Sequence, residues 1–325
     1  MGLATARALA QGGRDVVVVE QFRDGHDRGS SHGSSRIFRL SYPEVEWVRL
    51  AQTSLPLWRA LEAECGEQLL DLTGCIDFRD WVAYRDALAA CGAAFELLGA
   101  TELERRFPLR VEPGEIALLQ PDGGIVHADR ALRAFRAAAL AAGARISEET
   151  RVNAVDEDAD GVTVAGIRAR TAVVTAGAWA GQLVELDATP TRETIAYLSY
   201  DEPIPALVDR VADGPAGELA FALTAPGTGV KAGFHHGGPV ADPDEVGVAD
   251  QALATAAGEW AARRIRGLDP EPVRVETCLY TTRTDERFVL ERRGRVVVGS
   301  ACSGHGFKFA PVVGQRLAAL AGELL

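Results

Sequence analysis

Residues 2–20 read GLATARALAQGGRDVVVVE, and this run decides the fold. Positions 3–11 have the pattern of a small-residue helix closed by Gly12-Gly13. Asp15 to Glu20 is a β-branched run ending in an acid, the signature of a fully buried parallel strand. Helix, tight turn, buried strand and terminal acid make up the back half of a dinucleotide-binding βαβ unit, in which the acid hydrogen-bonds a ribose hydroxyl. Gly2 stands where the third glycine of a G-x-G-x-x-G turn belongs. The apolar strand and first two glycines of such a unit do not precede it. A start at an internal methionine and a degenerate unit both account for that, and an αβ unit with no nucleotide stays open on this segment alone.

Bulk properties narrow the class. A length of 325 residues suggests roughly two domains, and 47% hydrophobic with 25% charged residues is a soluble globular composition. A net charge of -12 argues against a nucleic-acid partner, because phosphate binding rests on basic patches. No apolar run approaches a membrane span and no signal-peptide pattern opens the chain. Cys65, Cys75, Cys91, Cys278 and Cys302 are scattered and odd in number, with no Cys-x-x-Cys pair. They make neither a disulfide framework nor a zinc site, so no metal and a reducing, cytoplasmic setting are expected.

Two late segments carry the chemistry. In Thr277-Cys278-Leu279-Tyr280-Thr281 the thiol and the phenol share one side of an extended stretch. Ser303-Gly304-His305-Gly306-Phe307-Lys308-Phe309 is a glycine-punctuated loop running into a helix start at Ala310-Pro311-Val312, where exposed N–H groups favour a negative partner. A sulfur beside an anion-binding helix start suggests a large electron-accepting cofactor, although either segment alone reads as a buried cysteine or an ordinary turn. Upstream, GHDRGSSHGSSRIFR (25–39) is a small-residue loop with His32, Arg36 and Arg39, and its plain alternative is a solvated turn. Helices are expected near 44–64, with Pro56 a kink, and over 128–142. Strands are expected around 151–155, 161–165 and 172–176, the last ending in a small-residue turn at Gly177-Ala178-Trp179. Gly229 to His235 alternates so that Lys231, Gly233 and His235 share a face, as an edge strand or a cavity wall would.

Taken in order, GLATARALA with DVVVVEQ, GSSHGSSRIFR, AVVTAGAW, VKAGFHHGG, TCLYTTRTDERFVL and SGHGFKFAPVVG resemble the monomeric sarcosine oxidase family, which includes N-methyltryptophan oxidase, within the glycine/D-amino-acid oxidase group. The resemblance runs along nearly the whole chain. It implies an α/β fold in which a Rossmann-like FAD-binding domain (1–70, 127–190 and 274–325) is interleaved with a mainly antiparallel-sheet substrate domain (71–126 and 191–273).

The resemblance also implies roles. FAD is held through an 8α-thioether to Cys278, with nearby cations lowering the thiol pKa. Gly2, Glu20, Gln21, His32, Arg36, Val152, Gly177, Trp179, Gly304, Gly306 and Lys308 match cofactor-contacting positions. Lys231 matches the lysine that activates oxygen, Arg39 and Lys308 the pair that clamps the substrate carboxylate, and Tyr280 and His235 the cavity lining. A monomer is implied that oxidises a small secondary amino acid by hydride transfer to flavin, O2 taking the electrons to give an imine and hydrogen peroxide. A dehydrogenase with another acceptor and a truncated, non-catalytic remnant are the alternatives.

Departures from the pattern are Phe221 for a tyrosine, Thr284 for a proline and Glu291 for the last acid of its run. The chain also stops short of the family's C-terminal tail. A central strand buries side chains worth ~1.5–3 kcal/mol each. Four of them approach a domain's stability of ~5–15 kcal/mol. Without that strand the chain is expected to fold poorly and to hold FAD weakly.

Overall fold

The computed structural model describes residues 1–211 and 219–322. The alanine-rich start forms the helix Gly2–Gln11, whose small side chains let it nest against Ala128–Ala141 and Ala310–Gly322. The run after it forms Val17–Val19, paired in parallel with Arg145–Ser147. A second piece sets Ala172–Val174 parallel to Val296–Ser300, which pairs antiparallel with Val289–Arg293. Among the described residues these two pieces share no strand pairing. The expected full burial of the 15–20 run does not hold, since Val17–Val19 is only half-buried. One of its edges is paired and the other borders a large central cavity, across from Ala172–Val174.

The other half of the fold is an eight-stranded sheet in the order Arg274–Thr282, Thr189–Ser199, Gly229–Phe234, Leu219–Ala225, Ala206–Arg210, Cys75–Phe78, Ile116–Gln120 and Glu96–Gly99. Every pairing is antiparallel except that of Ala206–Arg210 with Cys75–Phe78. Gln251–Arg264 covers one face, capped by the Asp250 carboxylate, which accepts from the Ala252 and Leu253 amides. Its Arg264 is buried between Asp209 and Glu115, at 2.8 and 2.7 Å. Range 274–325 therefore contributes its first strand to this sheet and its remaining strands to the smaller one.

Local expectations are mostly met, with two shifts. Residues 151–154 run outside any strand, and the expected strand there is Val155–Glu157, followed by Val162–Val164 across an acidic turn. The segment around Lys231 is no edge strand, because Gly229–Phe234 lies between two neighbours. Pro56 sits inside one continuous helix, Val45–Cys65. No helix among the described residues is long and apolar enough to cross a membrane.

Helix crossing around Gly2–Gln11 depends on close approach. A Cβ built on Gly314 would lie 2.7 Å from the backbone carbon of Ala4, whereas one on Gly322 meets nothing within 4 Å. Overpacking of this kind removes ~1–3 kcal/mol. Gly314→Ala is therefore expected to lower the thermal midpoint by several degrees and Gly322→Ala to leave it in place, as read by circular dichroism. Equal midpoints would show that the helix pair is not packed this closely.

Candidate active site

Every catalytic, substrate-contacting and cofactor-contacting position named from the sequence lines one cavity of about 1020 Å³ between the two halves. That volume stands at the upper end of the range for ligand sites, ~300–1,000 Å³. Its lining includes Gly2 and Glu20 as well as Arg39 and Lys308.

A Cβ on Gly2 would fall 2.9 Å from Thr175 Oγ1, so a larger residue at the helix start would require the Thr175 side chain to shift. One oxygen of Glu20 accepts from the Phe22 amide at 3.0 Å. Trp179 donates from Nε1 to Asp244 at 2.9 Å, and Asp244 also receives both terminal nitrogens of Arg151, at 2.7 and 2.8 Å. Asp244 was not singled out in the sequence. It lies in a polar loop with no pattern to mark it, and only the fold brings it to Arg151 and Trp179.

The 25–39 loop is no solvated turn. Arg36 donates to the carbonyls of Ser35, Ser30 and His32, at 2.9, 2.9 and 2.6 Å. The Ser30 hydroxyl donates in turn to the Leu279 carbonyl, tying the loop to the strand that carries Cys278. Lys231 is buried and donates to the Ser35 carbonyl at 2.6 Å. Burial, reinforced by the Arg36 guanidinium, pushes its amine well below the ordinary lysine range. Cys278 is also buried, and the expectation of a lowered thiol pKa is not met. Burial raises it, and although Arg36 and Lys231 pull it down, Glu193 and Glu276 push it further up.

Arg39 and Lys308 also line the cavity, both largely withdrawn from solvent. Arg39 donates to Asp77 at 2.8 Å, and both groups are largely buried. Burial works against the Arg39 charge, but Asp77 more than offsets it and holds the guanidinium above its usual range. Lys308 donates to the Tyr42 hydroxyl at 2.9 Å and the His305 carbonyl at 2.8 Å, with no carboxylate among its hydrogen-bond partners in the described residues. Its own carbonyl accepts from Ser54 and Trp58, which anchors the turn ahead of Ala310–Gly322. Burial and neighbouring Arg39 push the lysine well down. Asp77 and Tyr42 were missed from the sequence. The signal for Asp77 was present, because an acid inside the apolar strand Cys75–Phe78 needs a buried partner.

The rings of Tyr280 and His235 meet edge-on at 5.4 Å, and His235 Nδ1 lies 3.4 Å from the phenol oxygen. Gly304, at φ +71°, lies under both, and a Cβ there would stand 2.4 Å from each ring. Phe221 lines the cavity beside Gly233 without a hydroxyl, but the buried Tyr197 supplies one nearby.

The neutral histidines carry a pH consequence. Burial lowers His235 well below its usual value, lowers His32, and brings His305 down to about 3. The unfolded chain takes up protons at these rings below pH ~6.5, where the native state does not. Stability is therefore full above that pH and is lost as the pH falls towards 3, by at most ~1.4 kcal/mol per pH unit for each ring. The thermal midpoint is expected to fall between pH 7 and 4, less steeply in His305→Gln. Parallel curves would exclude His305 as a contributor.

The family model for FAD dependent oxidoreductases matches residues 1–320. Human peroxisomal sarcosine oxidase is 31% identical, covering 99% of this chain and 90% of its own length. Monomeric sarcosine oxidase from Bacillus sp. (strain B-0618) is 30% identical, with 99% and 89% covered. The open form of NikD, an unusual amino acid oxidase essential for nikkomycin biosynthesis, superimposes with a TM-score of 0.88 at 31% identity, covering 99% of this chain and 91% of that one. The chain belongs to the FAD-dependent oxidoreductase family and, within it, to the sarcosine oxidase group of FAD-dependent amine and amino acid oxidases.

Proposed function

We propose that this enzyme oxidises the C–N bond of a small secondary amino acid, of the N-methyl type, with FAD tethered at Cys278 and O2 as electron acceptor. The products are an imine and hydrogen peroxide, and the enzyme acts as a monomer. One observation carries the substrate class: two basic groups, the largely buried Arg39 and the buried Lys308, line a cavity that also presents Lys231, Cys278, His235 and Tyr280.

The residues present suit FAD. The glycine approach at Gly2, the acid at Glu20 and the thiol at Cys278 line a cavity of dinucleotide size. When bound, FAD supplies the two-electron acceptor for hydride leaving the carbon next to the amine nitrogen. The chain supplies position and charge. Asp77 is paired with Arg39, so Lys308 is the group left to meet a single carboxylate, whose arrival would favour the protonated amine that burial disfavours. Lys308 takes the larger part of that carboxylate, because it has no competing anion. Tyr280 and His235 are held neutral by burial, which favours the free-base amine over its ammonium form. Lys231 lies beside Arg36 on the Cys278 wall, where a proton placed on its Nζ offsets the negative charge that develops as O2 is reduced.

Acid precipitation tests the tether. Flavin is expected to stay with the wild-type pellet and to appear in the supernatant of Cys278→Ala, while free flavin from the wild type would refute the covalent link. Peroxide formed in step with amine consumption separates an oxidase from a dehydrogenase. Lys308→Met is expected to lower kcat/KM for an N-methyl amino acid by about 10- to 100-fold, the worth of one charged hydrogen bond, with far less effect on the matching amine that lacks a carboxylate. Equal losses on both amines would remove Lys308 from carboxylate binding.

A further inference from the structure

We propose that His235, His236 and Glu286, between the cavity wall and solvent, form a transition-metal site suited to Zn2+, and that metal bound there blocks access to the cavity. Successive residues of a strand point to opposite faces. Here His236 takes a left-handed backbone, φ 59°, that turns its ring back to 3.9 Å from that of His235. Glu286 is also left-handed, φ 54°, a conformation uncommon for residues other than glycine. These two departures bring three donors together, with one ligand atom from each residue within 4.8 Å of the others.

His236 Nε2 stands 3.3 Å from Glu286 Oε1, sealed from solvent and without a hydrogen bond. Neighbouring ligands of a tetrahedral zinc lie ~3.4 Å apart when bonds are ~2.0–2.1 Å, so one edge of the shell is already set. Side-chain rotation closes the remainder. Two imidazoles and a carboxylate are a zinc donor set that leaves a fourth position open. The outer contacts suit it as well. Tyr280 sits at His235 Nδ1, and His305 Nε2 lies 3.2 Å from the Glu286 carbonyl. Glu286 is exposed, which gives the ion a path in. Metal on His235 would fix that ring beside Tyr280 and obstruct the substrate. This blocking half rests on the amine-oxidase proposal, while the binding half does not.

The purified protein is titrated with Co2+ as a spectroscopic substitute and then with Zn2+. One equivalent of visible d–d absorption is expected, displaced by Zn2+ and without the sulfur-to-cobalt band that the five cysteines would produce. Affinity is expected to drop at least tenfold in His236→Gly and in Glu286→Gln. The glycine variant suits the left-handed backbone, so its fold is retained, as thermal unfolding checks. Zn2+ is expected to inhibit wild-type turnover reversibly, with chelator restoring it, and to spare both variants. Absence of a stoichiometric spectrum, or unchanged affinity in both variants, overturns the site and leaves a plain His236–Glu286 ion pair. Binding with unaltered turnover overturns the blocking role. Co2+ binding in a protein that oxidises no amine upholds the site and counts against the oxidase proposal.

Discussion

Nine consecutive register pairs, from Thr189 opposite Thr282 to Tyr197 opposite Arg274, hold the strand on which the site is built. Side chains alternate along a strand, so a slip of one residue would turn Cys278 and Tyr280 out of the cavity together. The register is pinned by a group that faces no solvent. Glu193, opposite Cys278 and fully buried, accepts from the Thr191 hydroxyl and the Gly238 amide. The same strand, Thr189–Ser199, is paired on its other side with Gly229–Phe234, setting Lys231 opposite Tyr197. One antiparallel ladder thus places the thiol, the phenol and the lysine relative to one another.

The site reverses the charge of the molecule that holds it. A chain of net charge -12 gathers Arg36, Arg39, Lys231 and Lys308 around one cavity. Burying cations is unfavourable unless they are paired or hydrogen-bonded. The structure meets that requirement with backbone carbonyls at Arg36 and Lys231, a phenol and a carbonyl at Lys308, and a carboxylate only at Arg39. Carbonyls satisfy donors without cancelling charge. An anionic ligand would therefore favour the protonated form that burial disfavours at Lys231 and Lys308.

Much of this was legible in the sequence because it rests on local pattern. The alanine-rich helix, the valine strand, the period-two placement of Cys278 and Tyr280, and the proline at the start of Ala310–Gly322 each depend on neighbours in the chain. What escaped depends on neighbours in space. The thiol pKa was misjudged because desolvation outweighs nearby cations, and burial depth is a property of the whole fold. Val17–Val19 lost its expected burial because burial belongs to a sheet and not to a strand. Asp77 and Asp244 gain their meaning only from partners 38 and 93 residues away.

Gly304 constrains how this cavity can diverge. Its position is filled by the rings of Tyr280 and His235, and its backbone lies where side-chain-bearing residues are strained. This stretch of wall is therefore mutationally frozen, and no series of ever larger residues at 304 can tune the pocket. Drift toward bulkier or slimmer amines has to proceed through neighbouring lining positions, such as Phe221 and Tyr197, whose side chains can be trimmed. The variable and the invariant surfaces of the pocket are thus assigned by backbone geometry before selection acts on either.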